Sequence, residues 1–121
     1  MRMTDLAAIV DAELEFFDSA AQRDEFQACR ITPVATTQRW QYSAEEHECL
    51  VVARSADVQI VYCGTGFGPS FPWSAQRIGE SDLGMESQWH AYLYESFMSG
   101  MWRGATPPGF EYKGPGERAK T

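Results

Sequence analysis

Apolar positions near the start of the chain recur at helical spacing. Leu6, Ile9, Val10, Leu14, Phe17 and Ala21 fall on one face of a 3.6-residue period. Thr4 stands where a helix would be capped, and Asp5 complements the positive end of its dipole. Ser19 followed by Gln22 has the form of a capping box, so the region reads either as one helix reaching Cys29 or as two, broken near Asp18. Pro33 stops helical continuation. Beyond it Val34, Thr36, Gln38, Trp40 and Tyr42 share one side of an alternating stretch, which predicts a half-exposed strand over Val34 to Tyr42. Ser43 to His47 is a polar connection. Glu48 to Arg54 and Val58 to Cys63 are β-branched, nearly continuous apolar runs that predict a central hairpin. A three-residue loop of Ser55, Ala56 and Asp57 sets Arg54 against Val58 and, counting outward, Cys49 against Cys63 on one sheet face.

From Gly64 to Gly84 glycines and prolines interrupt the chain and no helical period is present, so a long loop is predicted, of a length that is often functional. Met85, Trp89, Tyr92, Leu93, Phe97 and Met101 then restore the helical rule, with Gly100 placed to end a second amphipathic helix. The order helix, three strands, loop, helix predicts an α+β two-layer sandwich. Its three-stranded antiparallel sheet is flanked by an N-terminal and a C-terminal helix within residues 1–105. The other sheet face, or the edge strand Val34 to Tyr42, is left for water or for a second copy of the chain. Residues 106–121, rich in Pro and Gly, read as an irregular tail.

A chain of 121 residues with 44% hydrophobic content is sized for one domain. No uninterrupted apolar run exceeds five residues, as in Cys49 to Ala53, which is too short for a membrane span. The first residues lack a secretory pattern, and the expected location is cytoplasmic. The net charge of −7 repels nucleic-acid phosphates and anionic lipid, so neither is expected as a partner. The acid is concentrated at the front, where residues 1–48 carry ten Asp and Glu against four Arg. Asp11, Glu15 and Asp18 form a face that would steer a basic partner. Cys29, Cys49 and Cys63 are odd in number and lack C-x-x-C spacing. Reduced, partly buried thiols are expected, with neither a disulfide framework nor a zinc site.

Few residues combine into a chemical motif. Cys63 to Pro69 offers glycine-rich backbone after a strand, but Pro69 and Pro72 replace the helix a dinucleotide site requires, so a turn is the expected role. Cys63 and His90, with Glu86 or Asp82, supply the residue types of an activated thiolate, though nothing in their spacing joins them. Glu86 and His90, four apart, read as a surface pair on the second helix. His47 among Glu45, Glu46 and Glu48 reads as solvated turn. No metal or cofactor pattern is present. Phe67, Phe71 and Trp73 sit among breakers that stiffen the loop and lower the ordering cost of a contact. The competing reading is that these rings close over the end of a small core. With Arg39, Trp40 and Tyr42 on the strand, they form the anchors of the favoured function: a small acidic cytosolic protein-binding module of antitoxin or immunity type, docking a basic partner. Two alternatives stand beside it. One is a small enzyme or ligand-binding domain with a pocket between loop 64–84 and the last helix, using Cys63 or His90. The other is a self-associating domain, and homodimerisation is compatible with the first reading.

Overall fold

The structure, a computed structural model, describes residues 3–114. It is an α+β fold built on a four-stranded antiparallel meander. Helix α1 spans Met3–Glu13, so Thr4 lies inside the helix, not before it. A single tighter turn, Leu14–Phe16, follows, and the chain then extends at Phe17. Ser19 opens helix α2, Ala20–Cys29: its hydroxyl accepts the Gln22 amide at 3.2 Å while the Gln22 side chain accepts the amides of Asp18 and Ser19. These bonds satisfy donors that a helix start otherwise leaves orphaned, which is why there are two helices instead of one.

Strand β1 is Arg30–Arg39, β2 Glu46–Ser55, β3 Val58–Tyr62 and β4 Trp73–Arg77, paired in that order. β1 starts earlier than the Pro33 boundary suggests and stops before Tyr42. Pro33 is tolerated because β1 is an edge strand, and the pairing is irregular between Arg30 and Val34. The sheet has four strands where three were expected, because β4 is concealed within the supposed loop. Its residues Ser74 and Gln76 are polar yet satisfied internally, Ser74 donating to the Gln88 carbonyl at 2.8 Å and Gln76 exchanging amide hydrogen bonds of 3.0 and 2.7 Å with Gln38 of β1.

The central hairpin turns on two residues, Ala56 and Asp57, with Ser55 opposite Val58. A bulge at Val52 absorbs the offset, since Val51 faces Val61 but Ala53 faces Ile60. Beyond the bulge Leu50 faces Tyr62, the last pair of the ladder, so a shorter turn plus a bulge brings the strands to the register expected there. Cys49 and Cys63, the next residue on each strand, enter the same buried cluster.

Alternate residues of β2 and β3 enter two separate apolar clusters. Leu50, Val52 and Ile60 pack with Leu6 and Val10 of α1, Phe26 of α2 and Leu93, Tyr94 and Phe97 of helix α3, which spans Leu93–Gly100. Cys49, Val51, Val61 and Cys63 pack beneath Leu83 and Trp89, with Trp40, Phe67 and Phe71 against them. The second face, expected to be open to water or to another copy, is therefore covered by the chain's own 64–90 segment. That segment also reaches both sheet edges. Arg39 exchanges backbone bonds with Ser81 and Leu83 (2.9 and 3.2 Å), and Trp73 exchanges two with His90 (3.2 and 2.7 Å).

The helix expected from Met85 begins only at Leu93, preceded by a short tight turn, Glu86–Gln88, and extended backbone at Trp89 and Tyr92. Glu86 and His90 are accordingly not neighbours on a helical face. The tail is irregular through Gly114, with Phe110 against Tyr94 and Tyr112 stacked on His90, while 115–121 lie outside the described residues. Among the described residues no helix is long and apolar enough to cross a membrane.

Gly100 lies where α3 meets the sheet: a Cβ there would come within 2.6 Å of the Ala75 Cβ and 3.2 Å of a Val58 methyl. Gly100→Ala is predicted to destabilise the domain by about 1–3 kcal/mol despite alanine's better helix propensity, because overpacking at a sheet contact outweighs it. Conversely, Ala56 occupies a positive φ of 53°, and Ala56→Gly is predicted to stabilise by about 1 kcal/mol. Urea unfolding of the two variants against the parent checks both signs.

Candidate functional site

The covering segment meets the β1–β2 connection at a cleft of about 510 Å³ whose walls include Trp40, His47, Thr65, Phe67, Met85 and Glu86. Aromatic side chains run along it. Trp40 contacts Tyr42 edge-on at 5.2 Å and Phe67 at 6.3 Å, and Phe67 contacts the buried Trp89 at 6.0 Å. Met85 in the cleft wall is 51% exposed, and Tyr42, beside the cleft against Trp40, is 66% exposed. The Trp40 indole nitrogen is buried and has no hydrogen-bond partner among the described residues. Two carboxylates complete the walls. Glu45 lies 3.8 Å from His47 Nε2, and Glu86 has no Lys or Arg within ion-pair reach among the described residues.

His47 is buried in β2, not solvated in a turn, because its neighbour Cys49 marks the inward side of the strand and His47 is two residues away on that side. Its Nδ1 pairs with the Thr65 hydroxyl at 2.8 Å, and the same hydroxyl lies 3.7 Å from Cys63 Sγ. Cys63 itself is fully buried beneath Gly66, where an added Cβ would sit 3.4 Å from the sulfur. The neighbouring Cys49 side chain, opposed by burial but assisted by the amides of Thr65 and Gly66 and by the Thr65 hydroxyl, holds the Cys63 thiol down to about 5. Cys49 is pushed up by the Cys63 side chain, by burial and by Glu48. The turn after β3 therefore brings its polar groups to the chain's own sulfur, with the Thr65 hydroxyl 3.7 Å from it.

The predicted anchors separate into four groups. Trp40 and Phe67 line the cleft, and Tyr42, outside that lining, packs edge-on against Trp40. Arg39 points to the opposite side of β1 and pairs with Glu46 at 2.8 Å. Phe71 lines a different cavity of about 560 Å³ beside α3, where His90 also lies. Trp73 is only 1% exposed and packs edge-on against Tyr62 at 4.9 Å in the helix-side cluster, so it is core and not a contact residue. Of the steering carboxylates, Asp11 pairs with Arg30 at 2.6 Å, Asp18 accepts the Tyr94 hydroxyl at 2.7 Å, and Glu15 is exposed. Cys63 and His90 are not brought together. His90 pairs with the Ser96 hydroxyl at 2.8 Å and stacks on Tyr112, and burial lowers its pKa. Sequence reasoning missed His47, Thr65, Glu45 and Glu86 as cleft residues. The alternation His47, Cys49, Val51 was the available signal. Comparison with family models, curated proteins and solved structures yields no match to this chain, so its chemistry is read from its own residues.

The shifted thiols of Cys49 and Cys63 and the His90 ring set a pH dependence. Cys63 has a folded value near 5 against an ordinary 9.0, so its contribution is full above 9, shrinks as pH falls, and is gone below 5. His90, lowered from 6.5, adds a further loss below that value, and Cys49, raised, costs stability only above 9. Unfolding free energy is predicted to rise between pH 7 and 8.5, by at most about 1.4 kcal/mol per pH unit for one proton. The slope disappears in Cys63→Ala, whereas the acid loss due to His90 persists. A flat parent profile over that interval would contradict the assignment.

Proposed function

We propose that the protein is a small acidic binding module, of antitoxin or immunity type, that docks a basic partner through the 40–47/65–86 cleft. In this reading residues 1–105 form a two-layer domain: the helices back one sheet face and the cleft opens on the other. The location is cytosolic, and self-association remains compatible. A lysine or arginine side chain of the partner enters between Trp40, Phe67 and Tyr42, burying its aliphatic stem, while Glu45 and Glu86 receive the cation. The observation that carries this is the coincidence of an exposed tyrosine ring beside the cleft with two carboxylates that have no Lys or Arg partner among the described residues. The net charge of −7 adds long-range attraction for a basic surface.

The acidic face that sequence alone favoured carries less weight, because Asp11 and Asp18 already bind within the fold. The cleft supplies the specific contact, and the overall charge speeds the encounter.

Titration with a lysine-rich peptide, followed by tryptophan fluorescence, tests the reading. Binding that weakens with added salt is expected. Tyr42→Ala should weaken it by about 0.5–2 kcal/mol, the range of a cation–π contact. The pair Glu45→Gln with Glu86→Gln should weaken it and flatten the salt dependence, while the control pair Glu48→Gln with Glu80→Gln should do so less. Equal effects of the two pairs would reduce the interaction to nonspecific charge and reject the cleft as its seat.

A further inference from the structure

The two buried cysteines of the sheet meet under conditions that simple packing does not require. Cys49 and Cys63 are the next residues beyond the Leu50–Tyr62 pair on their two strands, and both are fully buried in the same cluster. Directly opposed residues of an antiparallel pair have Cα atoms about 4.5–5.5 Å apart, inside the window of about 4.4–6.8 Å that a disulfide spans. The two sulfurs are not equivalent. Thr65 contributes an amide and a hydroxyl to Cys63, and Gly66 contributes a second amide. The Thr65 hydroxyl is itself held by His47. Cys49 instead directs its one S–H at the backbone carbonyl of His47, 3.9 Å away. Cys29 sits apart, against the helix-side cluster, with no cysteine opposite it.

We propose that Cys49 and Cys63 are a peroxide-oxidisable dithiol in which Cys63 is the attacking sulfur and Cys49 the resolving one, reached from the cleft past Gly66. This site stands independently of what the cleft binds. In the first step the Cys63 thiolate attacks one oxygen of hydrogen peroxide. An S–O bond forms, the O–O bond breaks, and hydroxide leaves with the displaced electron pair, so that sulfur is oxidised to the sulfenic acid and peroxide is reduced. In the second step the Cys49 sulfur attacks the Cys63 sulfur, the S–O bond breaks, and the thiol proton and the leaving hydroxide combine as water. The product is the Cys49–Cys63 disulfide, and a dithiol reductant reverses it.

Three features suit Cys63 to the first role. Its thiolate is the reactive form and the surrounding donors favour that form, holding it at about 5. Those donors are backbone amides and a hydroxyl braced by His47, in place before any reaction. Gly66 lines the cleft and has no side chain to stand between it and the sulfur, which would lie 3.4 Å from a Cβ at that position. Cys49 needs no access, because its target is formed next to it.

The test uses the full chain in its reduced form. After brief exposure to hydrogen peroxide, acid quenching, denaturation and alkylation, peptide mass spectrometry is expected to find Cys49 and Cys63 linked, two hydrogens lighter, with Cys29 alkylated. In Cys49→Ser a dimedone adduct is expected on Cys63, and in Cys63→Ser neither link nor adduct on Cys49. The rate of link formation should be flat between pH 6 and 8. A rise of about tenfold per pH unit, as for an ordinary thiol below its pKa, would overturn Cys63 as the attacker. Retention of both thiols by folded protein under peroxide that oxidises Cys29 would overturn the proposal as a whole.

Discussion

The burial of Leu83 and Trp89 against the face that carries Cys49, Val51, Val61 and Cys63 is the constraint on which the rest of the structure depends. A four-stranded sheet with helices on one side leaves an apolar surface on the other, and water tolerates that poorly. Here the chain following β3 returns across it. Trp89 is held in place by its indole N–H, which donates to the Leu83 carbonyl at 2.7 Å in a buried setting, so the ring's one polar atom is satisfied as it enters the core. The helix side is assembled differently, by direct ring contacts such as Phe17 with Phe26, Tyr94 and Phe97.

From that covering follow both features of chemical interest. The cleft exists because the segment that lies over the sheet does not meet the β1–β2 connection closely, leaving Trp40 and Phe67 in edge contact around a gap. The polarised sulfur exists because the segment turns sharply as it leaves β3, aiming the amides of Thr65 and Gly66 back at Cys63. One turn thus serves as wall to the first and as donor set to the second, with His47 joined to both through the Thr65 hydroxyl.

How far the sequence could be read depended on whether each polar residue was solvated or internally paired. The first helices and their break were legible, since Ser19 and Gln22 act locally. The β2–β3 hairpin was legible from its apolar runs, although the turn length and the Val52 bulge were not, being set by pairing across strands. β4 was illegible because Ser74, Gln76 and the adjoining Gln59 look like surface residues, while Ser74 and Gln59 are buried. The spacing from Met85 to Met101 imitated a single helix by mixing rings of two destinations. Trp89 belongs to the second cluster, and Leu93 and Phe97 to the first. Of the site, Trp40, Tyr42 and Phe67 were found as rings in suggestive places. Trp73 was not told apart from them, because an aromatic residue beside proline reads the same whether it faces solvent or core.

The amide pair between Gln38 and Gln76 joins the first and last strands of the sheet from within. Slipping β1 by one position would exchange its two faces, carrying Gln38 outward and bringing Thr37 or charged Arg39 to face the Gln76 amide. Neither replacement can both give and receive hydrogen bonds as a carboxamide does. The glutamines therefore act as a latch that closes in only one alignment of the meander, giving this small sheet a means of rejecting misthreaded forms that its apolar residues alone would tolerate.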